Sequence, residues 1–198
     1  MFTETKILKK LIKNAYKGSG LHVEHTDKGW LAISGWWWRL EIGYLELSNE
    51  IKAQLVECIG EIPEPGEAYL YIKRTDPQSE IPGTTYINLL EKWTQCQTQY
   101  SITNVVLRTA DDFVAVLQGG SGCEIIPGWG VDLVRSKAND DECITGSGRS
   151  DSTTPYMIWA DDEMAIGILK RGTKYQGERE FLETVDECVL SWDFEIED

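Results

Sequence analysis

Two histidines, three runs of adjacent acids, two glycine clusters and five cysteines are the residues of this chain whose types and spacing could do chemistry. The histidines sit together in His22-Val23-Glu24-His25. On a strand, alternate side chains leave opposite faces, so His22 and Glu24 would point one way and His25 the other, which spoils a shared metal site. If the segment is a turn, Asp27 could join the two imidazoles as a third ligand. Acids are paired at Asp111-Asp112, Asp140-Asp141-Glu142 and Asp161-Asp162-Glu163. Metal-dependent hydrolases and glycosidases need two or more carboxylates aimed at one point. Adjacent acids on a strand diverge, however, and aspartates in turns commonly bond their own backbone.

The remaining groups point away from catalysis. Gly119-Gly120-Ser121-Gly122 lacks the Lys-Ser/Thr pair that completes a phosphate loop, and neither it nor Gly146-Ser147-Gly148 has the spacing of a nucleophile elbow. With both histidines near the N-terminus, a serine or cysteine nucleophile has few bases to draw on. Cys58, Cys96, Cys123, Cys143 and Cys188 are odd in number, widely spaced and free of any C-x-x-C pair. That pattern reads as reduced thiols in a cytosolic protein. The catalytic reading that survives is a small metal-dependent hydrolase using a carboxylate cluster with His22 and His25; no cofactor is expected, and the balance leans against an enzyme.

Charge carries the alternative. The chain has a formal net charge of -14 over 198 residues, with 33 acids against 19 lysines and arginines. Affinity for DNA or RNA is dominated by cations meeting phosphate, so direct nucleic-acid binding is disfavoured. A positively charged partner is favoured instead, most simply a basic protein surface such as the nucleic-acid channel of a nuclease. Residues 176–198 hold nine acids against Arg179 alone. In a helix over residues 178–188, Glu180, Glu183 and Glu187 fall on one side; Asp186, Asp193 and Glu195 extend the negative field. Trp37 and Trp129 are the aromatic candidates for the same contact, because tryptophan is enriched among residues that dominate interface energy. Residues 1–17 are the exception, with five lysines against Glu4.

Elements to position these residues can be read from periodicity. Residues 3–17 and 49–59 have helical spacing of apolar residues and are stopped by Gly18 and Gly60. Residues 21–47 look strand-like, with a turn at Ser34-Gly35 and a strand over 36–47 that sends Trp36 and Trp38 to the core and leaves Trp37, Arg39 and Glu41 on the other face. Strand near 68–73, helix over 86–97, hairpins around Asp111 and Asp161, a strand over 123–135 broken at Pro127-Gly128, a long mobile loop over 136–154, and a final strand over 190–196 complete the order. Strands that cluster as hairpins predict an α+β fold, with a mostly antiparallel sheet and about four helices packed on it. The expected organisation is a single domain over 1–198, with an N-terminal lobe 1–98 and a β-rich lobe 99–198 as its possible subdivision. No apolar run reaches the length of a membrane span and no signal-peptide core is present, so a soluble cytoplasmic protein is expected.

Thr3-Glu4-Thr5-Lys6-Ile7-Leu8, Gly18-Ser19-Gly20-Leu21 and Gly60-Glu61-Ile62-Pro63-Glu64-Pro65-Gly66 resemble stretches of uncharacterised small accessory proteins of bacterial phages and prophages. The resemblance covers the first third of the chain and includes no catalytic motif. It implies a role rather than a residue: acidic accessory proteins of mobile elements are often inhibitors of host defence, anti-CRISPR proteins among them. Two further readings stand beside that one, the carboxylate hydrolase and a structural module that oligomerises through a sheet edge or Trp37.

Overall fold

Apolar alternation through the first strands produces an antiparallel meander, which in the computed structural model belongs to an 11-stranded sheet. The structure describes residues 3–108, 113–120, 122–135 and 148–171. In chain order the elements are α1 (Thr5–Lys17), β1 (Leu21–His25), β2 (Trp30–Ser34), β3 (Trp38–Gly43), α2 (Asn49–Ile59), β4 (Glu67–Tyr71), β5 (Gln78–Ser79), α3 (Leu89–Gln95), β6 (Thr98–Arg108), β7 (Phe113–Gly119), β8 (Gly122–Pro127), α4 (Gly128–Arg135), β9 (Gly148–Ser150), β10 (Tyr156–Ala160) and β11 (Met164–Leu169). The strand order is β5-β4-β1-β2-β3-β11-β10-β9-β6-β7-β8. Every neighbouring pair is antiparallel, which makes this an α+β fold built from hairpins.

One face of the sheet carries the main core. Val23, Ile33, Leu40 and Ile166 lie in one cross-strand row, flanked by Leu31, Ile42 and Met164 on one side and Trp38 and Ile168 on the other. Leu8, Ile12 and Ala15 of α1 and Ile51 and Leu55 of α2 seal this face. The lysines of α1 stay at the surface, where Lys9–Glu50 (3.7 Å) and Lys13–Glu57 (3.6 Å) bridge the two helices. Exposed pairs of this kind contribute little, about 0.5 kcal/mol each. Apolar burial holds the layer.

The opposite face is built on a different principle. Ala68, Glu24, Ala32, Glu41, Ala165 and Ala160 form one continuous row across β4, β1, β2, β3, β11 and β10, and all six are buried. Alanine methyls let a covering segment approach closely, and the two glutamates fasten it. Glu24 accepts hydrogen bonds from the backbone N–H groups of Gly83 (2.6 Å), Thr85 (2.9 Å) and Tyr86 (2.8 Å). Glu41 accepts from Ile87 (2.7 Å) and Leu89 (2.6 Å), the second being the first residue of α3. Arg39 closes the arrangement by donating from Nη1 to the carbonyls of Thr85 (2.6 Å) and Thr84 (3.3 Å). Leu89 then packs on Ile158, Ala160 and Ala165.

The sheet also turns back on itself. After β11 the chain leaves its neighbours, and Arg171 N–H donates to Ile125 O of β8 (2.9 Å), five places away in the strand order. Lys170 Nζ bonds Glu124 (3.0 Å) and Asp151 O (3.0 Å) at the same seam. Curling of long antiparallel sheets follows from their twist.

Several local expectations are corrected. β3 starts at Trp38, because Gly35–Trp37 are used in the connection: Gly35 N–H donates to Trp38 O, and Ser34 pairs with Arg39. Trp36 is therefore 70% exposed and is no part of the core. The segment after Pro127 is helix α4 and not strand. Its valines suggested a strand, but Val131, Leu133 and Val134 gather on one side only at helical spacing, and all three are buried. Gly148 lies in β9 and not in a loop: it pairs with Tyr100 of β6, and a Cβ there would meet Met157 and Trp159 at 2.8 Å. Residues 86–88 belong to the segment strapped to Glu24 and Glu41, and α3 begins only at Leu89. The predicted helix 178–188 and strand 190–196 lie outside the described residues.

Burial is the main influence on the Glu41 carboxyl and pushes its pKa up, against the amides of Ile87 and Leu89 and the nearby Arg39, with the Glu24 charge adding to the rise. Between the ordinary carboxyl value and the raised one, the folded state thus holds a proton that the unfolded chain has released. The contribution of this group is full below the ordinary carboxyl value and shrinks as pH rises through the folded value. Glu41→Ala leaves two buried amides unpaired and should lower the unfolding free energy by about 3 kcal/mol in urea titrations. The same variant should lose the part of the acid-side pH dependence that falls as pH rises.

Candidate functional site

Four chain segments meet where β1, β2, β3 and β11 end, and each is fixed by its own backbone geometry. The β1–β2 turn is closed by Thr26, whose N–H donates to Trp30 O (2.8 Å) and whose hydroxyl accepts from Trp30 N–H (3.0 Å). Gly29, at φ +77°, supplies the left-handed residue this turn requires, and its carbonyl accepts from Tyr44 N–H (2.8 Å). The chain after β3 turns through Tyr44 to Glu46, held by bonds from Glu46 and Leu47 N–H to Gly43 O. The stiff segment 62–66 docks through Gly66 N–H to His25 O (2.7 Å). The β10–β11 turn is an aspartate turn, in which Asp161 Oδ1 accepts from Glu163 and Met164 N–H, and Gly43 N–H donates to Glu163 O (3.0 Å).

Between these segments lies a groove of about 710 Å³. Its apolar lining includes Trp30, Tyr44, Leu45, Ile62, Pro63 and Pro65, and Leu45 is 86% exposed. Its charged lining is Glu46, Glu64, Asp162 and Glu163 against Lys28. Among the described residues none of these four carboxylates is in an ion pair. His25 is only 7% exposed, stacks on Tyr44 at 4.7 Å between ring centroids, and bonds Pro63 O through Nδ1 (2.9 Å). Lys52 Nζ lies 4.6 Å from the centre of the Tyr44 ring. The arrangement is a concave, aromatic surface with uncompensated negative charge, suited to a cation with an apolar stem.

The histidines do part company as the strand geometry requires. His22 faces the strapped side and bonds Glu80 through Nδ1 (2.9 Å), whereas His25 faces the groove. Among the described residues no group of three or more His, Cys, Asp or Glu side chains could hold a metal ion. Asp162 and Glu163 border the groove; Asp111, Asp112, Asp140, Asp141 and Glu142 lie outside the described residues.

The partner-binding residues named from sequence are dispersed or undescribed. Trp37 is 41% exposed in the β2–β3 connection, at the end of these strands away from the groove, and its carbonyl accepts from Leu169 N–H (2.9 Å). Trp129 is half-buried in α4 and packs against the main core. Glu180, Glu183, Asp186, Glu187, Asp193 and Glu195 lie outside the described residues. Sequence reading missed the groove, although the stiffness of Ile62-Pro63-Glu64-Pro65-Gly66 and the Asp161 turn were visible signals of two of its walls.

A second hollow, of about 260 Å³, lies between α3 and the segment 151–156 and includes Cys96, Asp151, Lys92 and Gln95. Asp151 is held down to about 2, first by the Thr153 hydroxyl, then by the amides of Thr154 and Thr153 and by the Cys96 thiol, against a smaller push from burial. Burial pushes Cys96 up to about 11, helped by the adjacent Asp151. A thiol in that state is no nucleophile at neutral pH. No protein-family model matches the chain, and comparison with curated proteins gives no match either.

Alkylation by iodoacetamide at neutral pH should therefore leave Cys96 unmodified in the folded chain while the urea-unfolded chain is labelled at that position. Mass-spectrometric mapping reads this directly, and rapid native labelling of Cys96 would contradict the assignment.

Proposed function

We propose that this is a non-enzymatic acidic binding protein that takes a positively charged segment of a partner protein into the groove at the ends of β1, β2, β3 and β11. The observation that carries the reading is the set of unpaired carboxylates, Glu46, Glu64, Asp162 and Glu163, around an apolar and aromatic floor. A net charge of -14 supplies long-range attraction for a basic surface, and the groove supplies the desolvated contact that attraction alone lacks. Blocking the basic, nucleic-acid-binding surface of a defence nuclease, a CRISPR effector or a toxin, inside a bacterial host cell, is the biological role that fits this chemistry and the phage resemblance.

Titration calorimetry with a short peptide of mixed lysine and arginine tests the reading. Binding should weaken by at least about tenfold between roughly 50 and 300 mM salt, and by a similar factor in Glu64→Lys/Glu163→Lys. The same reversal at Asp76, outside the groove, should change affinity by no more than about twofold. Salt-insensitive binding, or none, would remove the proposal.

A further inference from the structure

Resting on that cation-binding reading, we infer that the groove selects an arginine guanidinium over a lysine ammonium, and that His25 is the residue responsible. The argument starts from a tautomer. Pro63 O can only accept a hydrogen bond, so the His25 nitrogen that contacts it at 2.9 Å, Nδ1, must carry a proton. In the uncharged imidazole the other nitrogen, Nε2, then presents a lone pair. Stacking on Tyr44 and the bond to Pro63 fix the ring, so the direction of that lone pair is fixed as well.

Nε2 has no hydrogen-bond partner among the described residues. The sealed and unpaired polar side-chain atoms there are Thr3 Oγ1, Arg39 Nε, Trp93 Nε1, Thr154 Oγ1 and Trp159 Nε1. His25 Nε2 is unpaired but not sealed, and the groove is the space that His25 borders. A side chain more than nine-tenths buried thus offers one acceptor to whatever enters, at the floor of a groove rimmed by carboxylates.

Both cationic side chains could meet the rim acids, but they differ at the floor. A guanidinium has five N–H donors in one plane, so it can donate one to Nε2 and others to Glu64 or Glu163 while its flat face lies on the apolar lining. It is also more weakly hydrated than an ammonium, so less is lost when it leaves water. An ammonium is a compact, strongly hydrated charge, and a neutral acceptor with exposed carboxylates does not replace its water shell. The Tyr44 ring already carries His25 and Lys52, so it acts as the support for the acceptor and the ligand's contact falls to His25 itself.

The full chain titrated with arginine and lysine homopeptides of equal length tests the inference. The arginine peptide should bind at least about fivefold more tightly. In His25→Asn the side-chain amide can still donate to Pro63 O but leaves nothing at the Nε2 position, and the preference should fall to about one with lysine-peptide affinity unchanged. His25→Gln, which can place its amide oxygen near the Nε2 position, should restore part of it. A readout independent of variant folding is the ¹⁵N shift of Nε2 in the unsubstituted protein, which should move on adding the arginine peptide and not the lysine peptide. Equal binding of the two peptides, or a preference that survives His25→Asn in a folded variant, overturns the inference while leaving the cation-binding function standing. Binding of neither peptide overturns that function too.

Discussion

Two carboxylates buried where a sheet face would ordinarily carry aliphatic side chains hold the strapped side of this molecule together. A buried polar group is costly unless it is hydrogen-bonded, and Glu24 and Glu41 meet that condition by taking five backbone amides from residues 83–89. The exchange satisfies both parties. A connecting segment laid across a sheet has amides that need partners, and here the sheet supplies them from side chains instead of a strand edge. The alanine row is the steric half of the same arrangement, because larger residues at Ala32 or Ala165 would lift the segment away from the carboxylates. Where α3 starts, how it covers β10 and β11, and why residues 83–88 stay out of the sheet all follow from these bonds.

Two groups of acids in the described chain thus do different work. Glu24 and Glu41 are committed to the protein's own backbone. Those around the groove form no ion pair among the described residues and outnumber Lys28, the one cation of the lining, and they are brought together from segments separated by more than a hundred positions. Electrostatic repulsion among such groups is unfavourable in the free protein and is relieved when a cation arrives, so part of the driving force for binding is already present before contact. Among the described residues the histidines and the Cys96–Asp151 pair are dispersed. His22 and His25 diverge onto opposite faces, and Cys96 and Asp151 push each other toward unreactive states.

The antiparallel, hairpin-built class and both long N-terminal helices were legible in the sequence, because α1 and α2 keep helical apolar spacing up to Gly18 and Gly60 and the strands keep period two. The roles of Glu24 and Glu41 were not. Alternation marks a polar residue as facing away from the core, and it cannot distinguish water from a backbone segment as the thing it faces. Trp36 was misplaced for a related reason, since a strand pattern continued backwards into a connection looks the same until hydrogen bonding says where pairing starts. In α4 the β-branched residues outweighed a helical spacing too short to stand out. The groove was illegible because no local pattern joins Lys28, Tyr44, Glu64 and Glu163; only the pairing of β11 with β3 does.

That pairing also governs how the chain comes to be made. β11 is the last described strand in sequence, yet it sits in the interior of the sheet against β3. Residues 44–163 take on the order of ten seconds to synthesise, and until β11 follows them the edge of β3 lacks that partner and its Trp38, Leu40 and Ile42 lack the neighbours Ile168, Ile166 and Met164. An unpaired apolar strand is a template for association with other nascent chains. Arg39 and Glu41, which alternate with those residues, place charge on the same strand and oppose such pairing. The residues that later fasten the strapped segment are thus well placed to act first as guards of an unfinished sheet on the ribosome.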